Sequence, residues 1–134
     1  MKSIFEVKNS LPFDADVFER MKKTALELLC GAEKEEYTQA IVLLSRAGNE
    51  YGAVIENALL KDKREEKALI ERILSANDTS LSRVLCVWQD GGIDIPSFAF
   101  RQMLCDADDS NSDCGIFVTV DDGYSVIKLE NSMK

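Results

Sequence analysis

The order in which strand-like and helix-like segments alternate constrains this chain more than any other feature. Thr38 to Ser45 is an apolar run that reads as a buried strand. The turn Ala47-Gly48-Asn49 and the run Tyr51 to Glu56 complete a hairpin. A helix is expected from about Lys63 to Ala76, with Leu69, Ile70, Ile73 and Leu74 on one face. Arg83 to Trp88 is mostly apolar and reads as a central strand. After a loop, Asp90 to Asp94, Pro96 fits the first turn of a helix running to about Cys105. Asp106 to Asp113 is a polar, acidic loop. Cys114 to Val120 and Tyr124 to Leu129 are two further strands around the turn Asp121-Asp122-Gly123. Ahead of all these, residues 1–13 form an extended lead-in. Asp14 then N-caps a helix from about Ala15 to Cys30, which Gly31 stops. The resulting order, α-β-β-α-β-α-β-β, places helices between strands and so calls for crossovers over a mixed sheet.

The 134 residues, 46% of them hydrophobic, make one domain over 1–134. A chain of this length buries roughly two thirds of its unfolded surface, so it needs neither disulfide nor structural metal. Sixteen basic against 24 acidic residues leave a net charge of −8. That sign repels phosphate backbones and anionic bilayers, so no nucleic-acid and no membrane partner is expected. No apolar run approaches the roughly 20 residues that span a bilayer, and the first residues lack a signal-peptide core. A cytoplasmic location with reduced thiols is expected. The chain contains no histidine, and none of its four cysteines lies in a Cys-x-x-Cys pair. Histidine catalysis, histidine–zinc sites and Ser/His or Cys/His nucleophile pairs are thereby excluded.

Chemistry is best sought at the starts of the second and third helices. Glu66 precedes Leu69 and Ile70 by three and four residues, and Ile73 by seven, which puts it on the inward face. The helix dipole there favours its charged form, and desolvation favours its neutral form. A capping or surface glutamate beside Glu65 is the plainer reading of that position taken alone. In the third helix, Ser97 and Phe100 share a face, which Leu104 continues. Two inward positions three apart at a helix start have the layout of a Cys-x-x-Cys metal clamp, here held by serine and phenylalanine.

These residues carry a resemblance. Val54-Ile55-Glu56-Asn57-Ala58, Arg64-Glu65-Glu66-Lys67-Ala68 and Pro96-Ser97-Phe98-Ala99-Phe100-Arg101-Gln102-Met103-Leu104 resemble three motifs of the cytidine deaminases. That zinc-dependent nucleoside enzyme family includes the blasticidin S deaminases. Its motifs are an x-Glu-Asn-Ala stretch closing an early hairpin, a Cys-Ala-Glu or His-Ala-Glu helix start, and a Pro-Cys-x-x-Cys-Arg-Gln-x-Leu helix start. The resemblance runs from Val17 to Leu129. It implies a three-layer α/β/α sandwich around a mixed five-stranded sheet.

By that resemblance Glu66 stands where the family's proton-shuttling glutamate stands, and Glu56 where a glutamate binds the sugar hydroxyl. Val54 replaces a sugar-binding asparagine. Arg64, Ser97 and Phe100 occupy the three zinc positions. One residue is missing between Asn57 and Arg64, and sliding the register by one would instead place Glu65 at the ligand position. Arginine stays protonated, phenylalanine has no donor atom, and a neutral serine hydroxyl is a poor zinc ligand. No metal or other cofactor is therefore expected, and zinc is expected to be absent. Without it nothing lowers the pKa of an attacking water from about 15.7 toward 7. Arg64 is expected to stand in for the metal's charge by pairing with Glu66 or Glu56, and Phe100 to fill the vacated volume.

The leading expectation is thus a catalytically silent protein with a binding or assembly role. The alternative is a deaminase-type hydrolase, or a nucleoside sensor, that uses Glu66 and Glu56. A nucleoside-like small molecule and a homo-oligomer, dimer or tetramer, are the expected partners. The remaining features have plain readings. Asp106 to Asp113 lacks the glycine and glutamate of a calcium loop. Gly91-Gly92 lacks the Lys-Ser/Thr of a phosphate loop. Trp88 and Tyr51 read as packing or subunit contacts. Cys86, Cys105 and Cys114 read as small hydrophobes before they read as a substitute metal site.

Overall fold

Alternation along the strands decides which residues meet which helix. In the computed structural model, which describes residues 10–33 and 35–133, five strands of six to eight residues form one mixed sheet. They are β2 (Gln39–Ser45), β3 (Glu50–Ile55), β4 (Leu81–Trp88), β6 (Gly115–Val120) and β7 (Gly123–Lys128), in the spatial order β7-β6-β4-β2-β3. Two-residue strands β1 (Ser10–Leu11) and β5 (Ile93–Asp94) add to β7 and β4. β4 and β6 are parallel, and the other pairs are antiparallel. α1 (Ala15–Cys30), α2 (Arg64–Ser75), α3 (Phe98–Ala107) and the single turn α4 (Leu129–Ser132) complete the fold.

α1 covers one face. Phe18, Met21, Ala25 and Leu29 lie against Ala40, Val42, Leu85 and Phe117. α2 and α3 cover the other, where Leu69, Ile73, Phe100 and Leu104 meet Ile41, Leu43, Val84 and Ile116. Residues 40, 42 and 41, 43 of one strand thus serve opposite layers, which makes the chain an α/β/α sandwich. Each large apolar side chain so buried contributes about 1.5–3 kcal/mol. Gly52 permits the closest approach of α1 to the edge strand, since a Cβ there would sit 2.8 Å from a Leu28 methyl.

The parallel pair β4–β6 positions the site. The two strands pair only at Arg83 and Val84, opposite Gly115 and Ile116. Further along, β5 pairs with Cys86 and Val87 of β4, and the Thr119 hydroxyl of β6 donates to the Ile93 carbonyl at 2.9 Å. β4 and β6 therefore part around β5, and α3 begins where they part.

Asp14 caps α1 through the Val17 N–H, and α1 has the expected bounds. Other expectations are corrected. The end of the lead-in pairs with β7 as strand β1, a partner the sequence did not show, while its first nine residues lie outside the described residues. The loop Asp90–Asp94 contains β5. Leu129 opens α4 instead of ending a strand. Pro96 lies just before the Ser97 cap, so it precedes α3 and is not part of its first turn. The acidic loop contains a 3-10 turn, Asp109–Asp113, around a fully buried Asn111. Asn111 accepts from Leu81 N–H and donates to the Thr79 and Leu104 carbonyls, so all the polar atoms of its amide are engaged in the interior.

Candidate functional site

The chain enters α2 through Lys63, whose φ of 51° is left-handed and whose side chain makes no cap. That conformation turns Lys63 back over the helix start. Its ammonium donates to the Ala58 carbonyl at 2.7 Å and lies 3.7 Å from the Glu66 carboxylate. Glu66 is 2% exposed, facing the sheet as its spacing before Leu69, Ile70 and Ile73 requires. Burial holds its carboxyl above the ordinary carboxylate range, against the lowering pull of a backbone N–H and of Lys63. On β4, burial raises the Cys86 thiol, and the charges of Asp94 and Glu66 add to that.

Arg64 departs from expectation. Its side chain is exposed, and the cation that pairs with Glu66 is Lys63. The helical turn explains this, because position 64 is two residues from 66 and so projects from a different side of the helix. The spacing from 63 to 66 is i,i+3, the signal in the sequence that marks Lys63.

The start of α3 is built differently. The Ser97 hydroxyl accepts from the Phe100 N–H at 3.1 Å, the bond of an ordinary N-cap. The Phe100 ring is fully buried in the α2–α3 layer. Arg101, nearly buried, donates through Nε to the Pro96 carbonyl at 3.0 Å and through Nη1 to the Ser132 carbonyl. It thereby fastens α4 to the approach of α3.

Glu56 is exposed at the end of β3 and lines a cleft of about 440 Å³. Val54, Asn57, Arg64 and Glu65 share that cleft with Glu33 and Glu35 of the α1–β2 connection. The Glu56 N–H donates to Glu65 at 3.4 Å, and the Glu56 carbonyl accepts from the Thr38 hydroxyl at 2.9 Å. The fold thus brings Glu56, Arg64 and Val54 together. Glu66 and Phe100 are behind them in the interior and do not line the cleft. Sequence reasoning missed the acidic lining formed by Glu33, Glu35 and Glu65, because Glu65 lies thirty residues from Glu35 in the chain.

At the three positions that the resemblance assigns to zinc ligands, Arg64 offers an exposed guanidinium, Ser97 a hydroxyl used as a helix cap, and Phe100 a buried phenyl ring. These do not fit tetrahedral zinc, which takes thiolate, imidazole or carboxylate. Among the described residues no three Cys, Asp or Glu side chains form a group able to hold a metal ion. Cys86 and Cys114 are buried, and burial pushes the Cys114 thiol up to about 12. No helix among the described residues is long and apolar enough to cross a membrane.

Neither a family model nor a curated protein matches the chain. Solved structures do. A cytidine deaminase from Mycobacterium leprae superposes with a TM-score of 0.63 at 18% identity, covering 87% of this chain and 96% of its own. One from Mycobacterium tuberculosis gives 0.60 at 16%, covering 86% and 92%. One from Burkholderia pseudomallei gives 0.59 at 13%, covering 84% and 93%. The fold is cytidine deaminase-like.

Proposed function

We propose that this chain is a non-catalytic protein on a cytidine deaminase-like fold, whose zinc chemistry is lost and whose remaining role is binding. One observation carries the reading: the Phe100 ring, at the position that the resemblance assigns to a metal ligand, is fully buried. A phenyl ring packed at interior density leaves no room for an ion and its water. The Ser97 hydroxyl, bound to a backbone N–H, and the exposed Arg64 support the same reading. The cleft beside Glu56 is the place for a small hydroxyl-bearing molecule of nucleoside type, with the Glu56 carboxylate as acceptor. The four free cysteines suit a reducing, cytoplasmic setting.

Metal analysis of the purified protein, paired with an assay for ammonia release from cytidine, tests the catalytic half. The expected result is no stoichiometric zinc and no ammonia. Stoichiometric zinc together with deamination would overturn it. Thermal shifts with nucleosides test the binding half, since a ligand at 100 times its Kd adds about 2.7 kcal/mol. Absence of any shift across nucleosides and related heterocycles counts against that role.

A second reading has its own observation, the buried Glu66 with its raised carboxyl. Groups tuned in this way act as proton shuttles. General acid–base action alone supplies about 10²–10⁴ in rate, far below what deamination requires. Ammonia release that disappears in Glu66→Gln would establish this reading in place of the first.

A further inference from the structure

The backbone on either side of the β2–β4 ladder continues toward a second cavity. The Thr38 carbonyl accepts from the Gln89 N–H at 2.9 Å, and the Tyr37 carbonyl from the Ala58 N–H at 3.0 Å. Residues 37 and 38 thus keep the alternation of β2. That puts Tyr37 on the same side of the sheet as Gln39 and as Trp88, which stands opposite Gln39. Tyr37 and Trp88 are then diagonal neighbours, about 7–8 Å apart at the backbone. Ring–ring contacts among the described residues are confined to Phe13, Phe18, Phe117 and Tyr124, so these two rings do not stack on each other. With Glu36, Gln89 and Asp90 they border a pocket of about 270 Å³ that shares no lining residue with the cleft beside Glu56.

We propose that this pocket binds a small organic cation, a quaternary or methylated ammonium head group, between the Tyr37 and Trp88 rings. An aromatic face attracts a cation within about 6 Å of its centroid, and rings at this spacing leave room for one head group between them. The chain's own cations do not occupy the place. Among the described residues they lie over Phe18, Tyr51 and Phe98.

Three features select the charge and kind of ligand. Glu36 and Asp90 line the pocket, and no lysine or arginine does. The Trp88 indole N–H donates to Asp94 at 3.0 Å, which fixes the ring and sets a third carboxylate beside it. Gln39 is 3% exposed, and its amide has no hydrogen-bond partner among the described residues, so it is left for a polar tail of the ligand. A methylated ammonium suits two ring faces better than a bare one, which is strongly hydrated and asks for acceptors. The volume is below the ~300–1,000 Å³ of sites for drug-sized ligands, so the head group alone is enclosed. This inference stands whether or not the cleft beside Glu56 binds a nucleoside.

Fluorescence of the full chain tests it, because Trp88 is the only tryptophan. Choline is titrated at constant ionic strength beside its neutral carbon isostere, in which a tert-butyl group replaces the trimethylammonium. Blocked trimethyl-lysine is a second cation arm, which tells a free small molecule from a modified side chain of another protein. A saturable change with at least one cation is expected, the isostere being weaker by about tenfold or more. The tighter cation names the source. Tyr37→Leu should raise the Kd of that cation about tenfold, whereas Tyr37→Phe, which keeps the ring, should stay within about twofold. Tyr37 is exposed, and circular dichroism checks that both variants are folded. No saturable change with either cation, an isostere that binds as well as the cation, or a Tyr37→Leu variant that binds as the wild type does would each overturn the proposal.

Discussion

The starts of α2 and α3 lie side by side on one face of the sheet, yet they are built in opposite ways. The α3 start is self-contained. Ser97 satisfies a helix N–H, Phe100 fills the interior, and Arg101 binds the backbone on either side. The α2 start combines a left-handed lysine, no side-chain cap, and a buried carboxylate held by an ion pair of 3.7 Å. A left-handed non-glycine residue costs about 1–2 kcal/mol. A buried acid costs more than its neutral form wherever it must stay ionised. One helix start is therefore a packing unit, and the other stores polar cost.

Four substitutions sharpen or break that contrast. The largest effect belongs to Phe100→Ala, which leaves a cavity in the layer beneath both helices. A loss of about 3–5 kcal/mol is expected in urea unfolding. A loss below about 1 kcal/mol would mean that the ring is not a packing element.

Glu66→Gln tests the polar side through pH. The folded carboxyl lies above its unfolded value because of burial. The native state then holds the proton more tightly, so this group's contribution is fully present below the unfolded pKa and is lost as pH rises through the folded one. The variant lacks that loss. The variant should gain on the wild type as pH rises from the unfolded pKa to the folded one, with the two curves parallel below and above that window. Urea midpoints measured from acid to neutral pH read this directly, and curves parallel throughout would contradict a raised carboxyl.

Ser97→Ala removes the α3 cap and should cost about 1 kcal/mol. Arg64→Ala should change stability by no more than about 0.5 kcal/mol, because the side chain is exposed and does not hold Glu66. A larger loss would return Arg64 to the role expected from sequence.

Helix α1 was readable to the residue, from the Asp14 cap to the Gly31 stop, because both ends carry local chemical signals. The buried Glu66 was readable for a similar reason, its spacing before Leu69, Ile70 and Ile73. β1 and β5 were not, since two residues have no period and their pairing with β7 and β4 is a matter of tertiary contact. Asn111 lies among aspartates and serines, where composition says solvent, yet its amide binds three backbone groups in the interior. Lys63 was half legible. Its i,i+3 spacing to Glu66 marks the pair, but a lysine before a helix ordinarily points to water, and its positive φ accompanies the turn onto Glu66. Phe100 illustrates the reverse case, where an apolar residue at an inward position is buried as its pattern requires.

Arg101 connects two distant places in the chain, the Pro96 and Ser132 carbonyls. Through it, strain applied at Ser132 is transmitted to Pro96. Anyone fusing a reporter or an affinity handle after α4 would be pulling on the approach to the third helix. An attachment ahead of β1 would leave that contact alone.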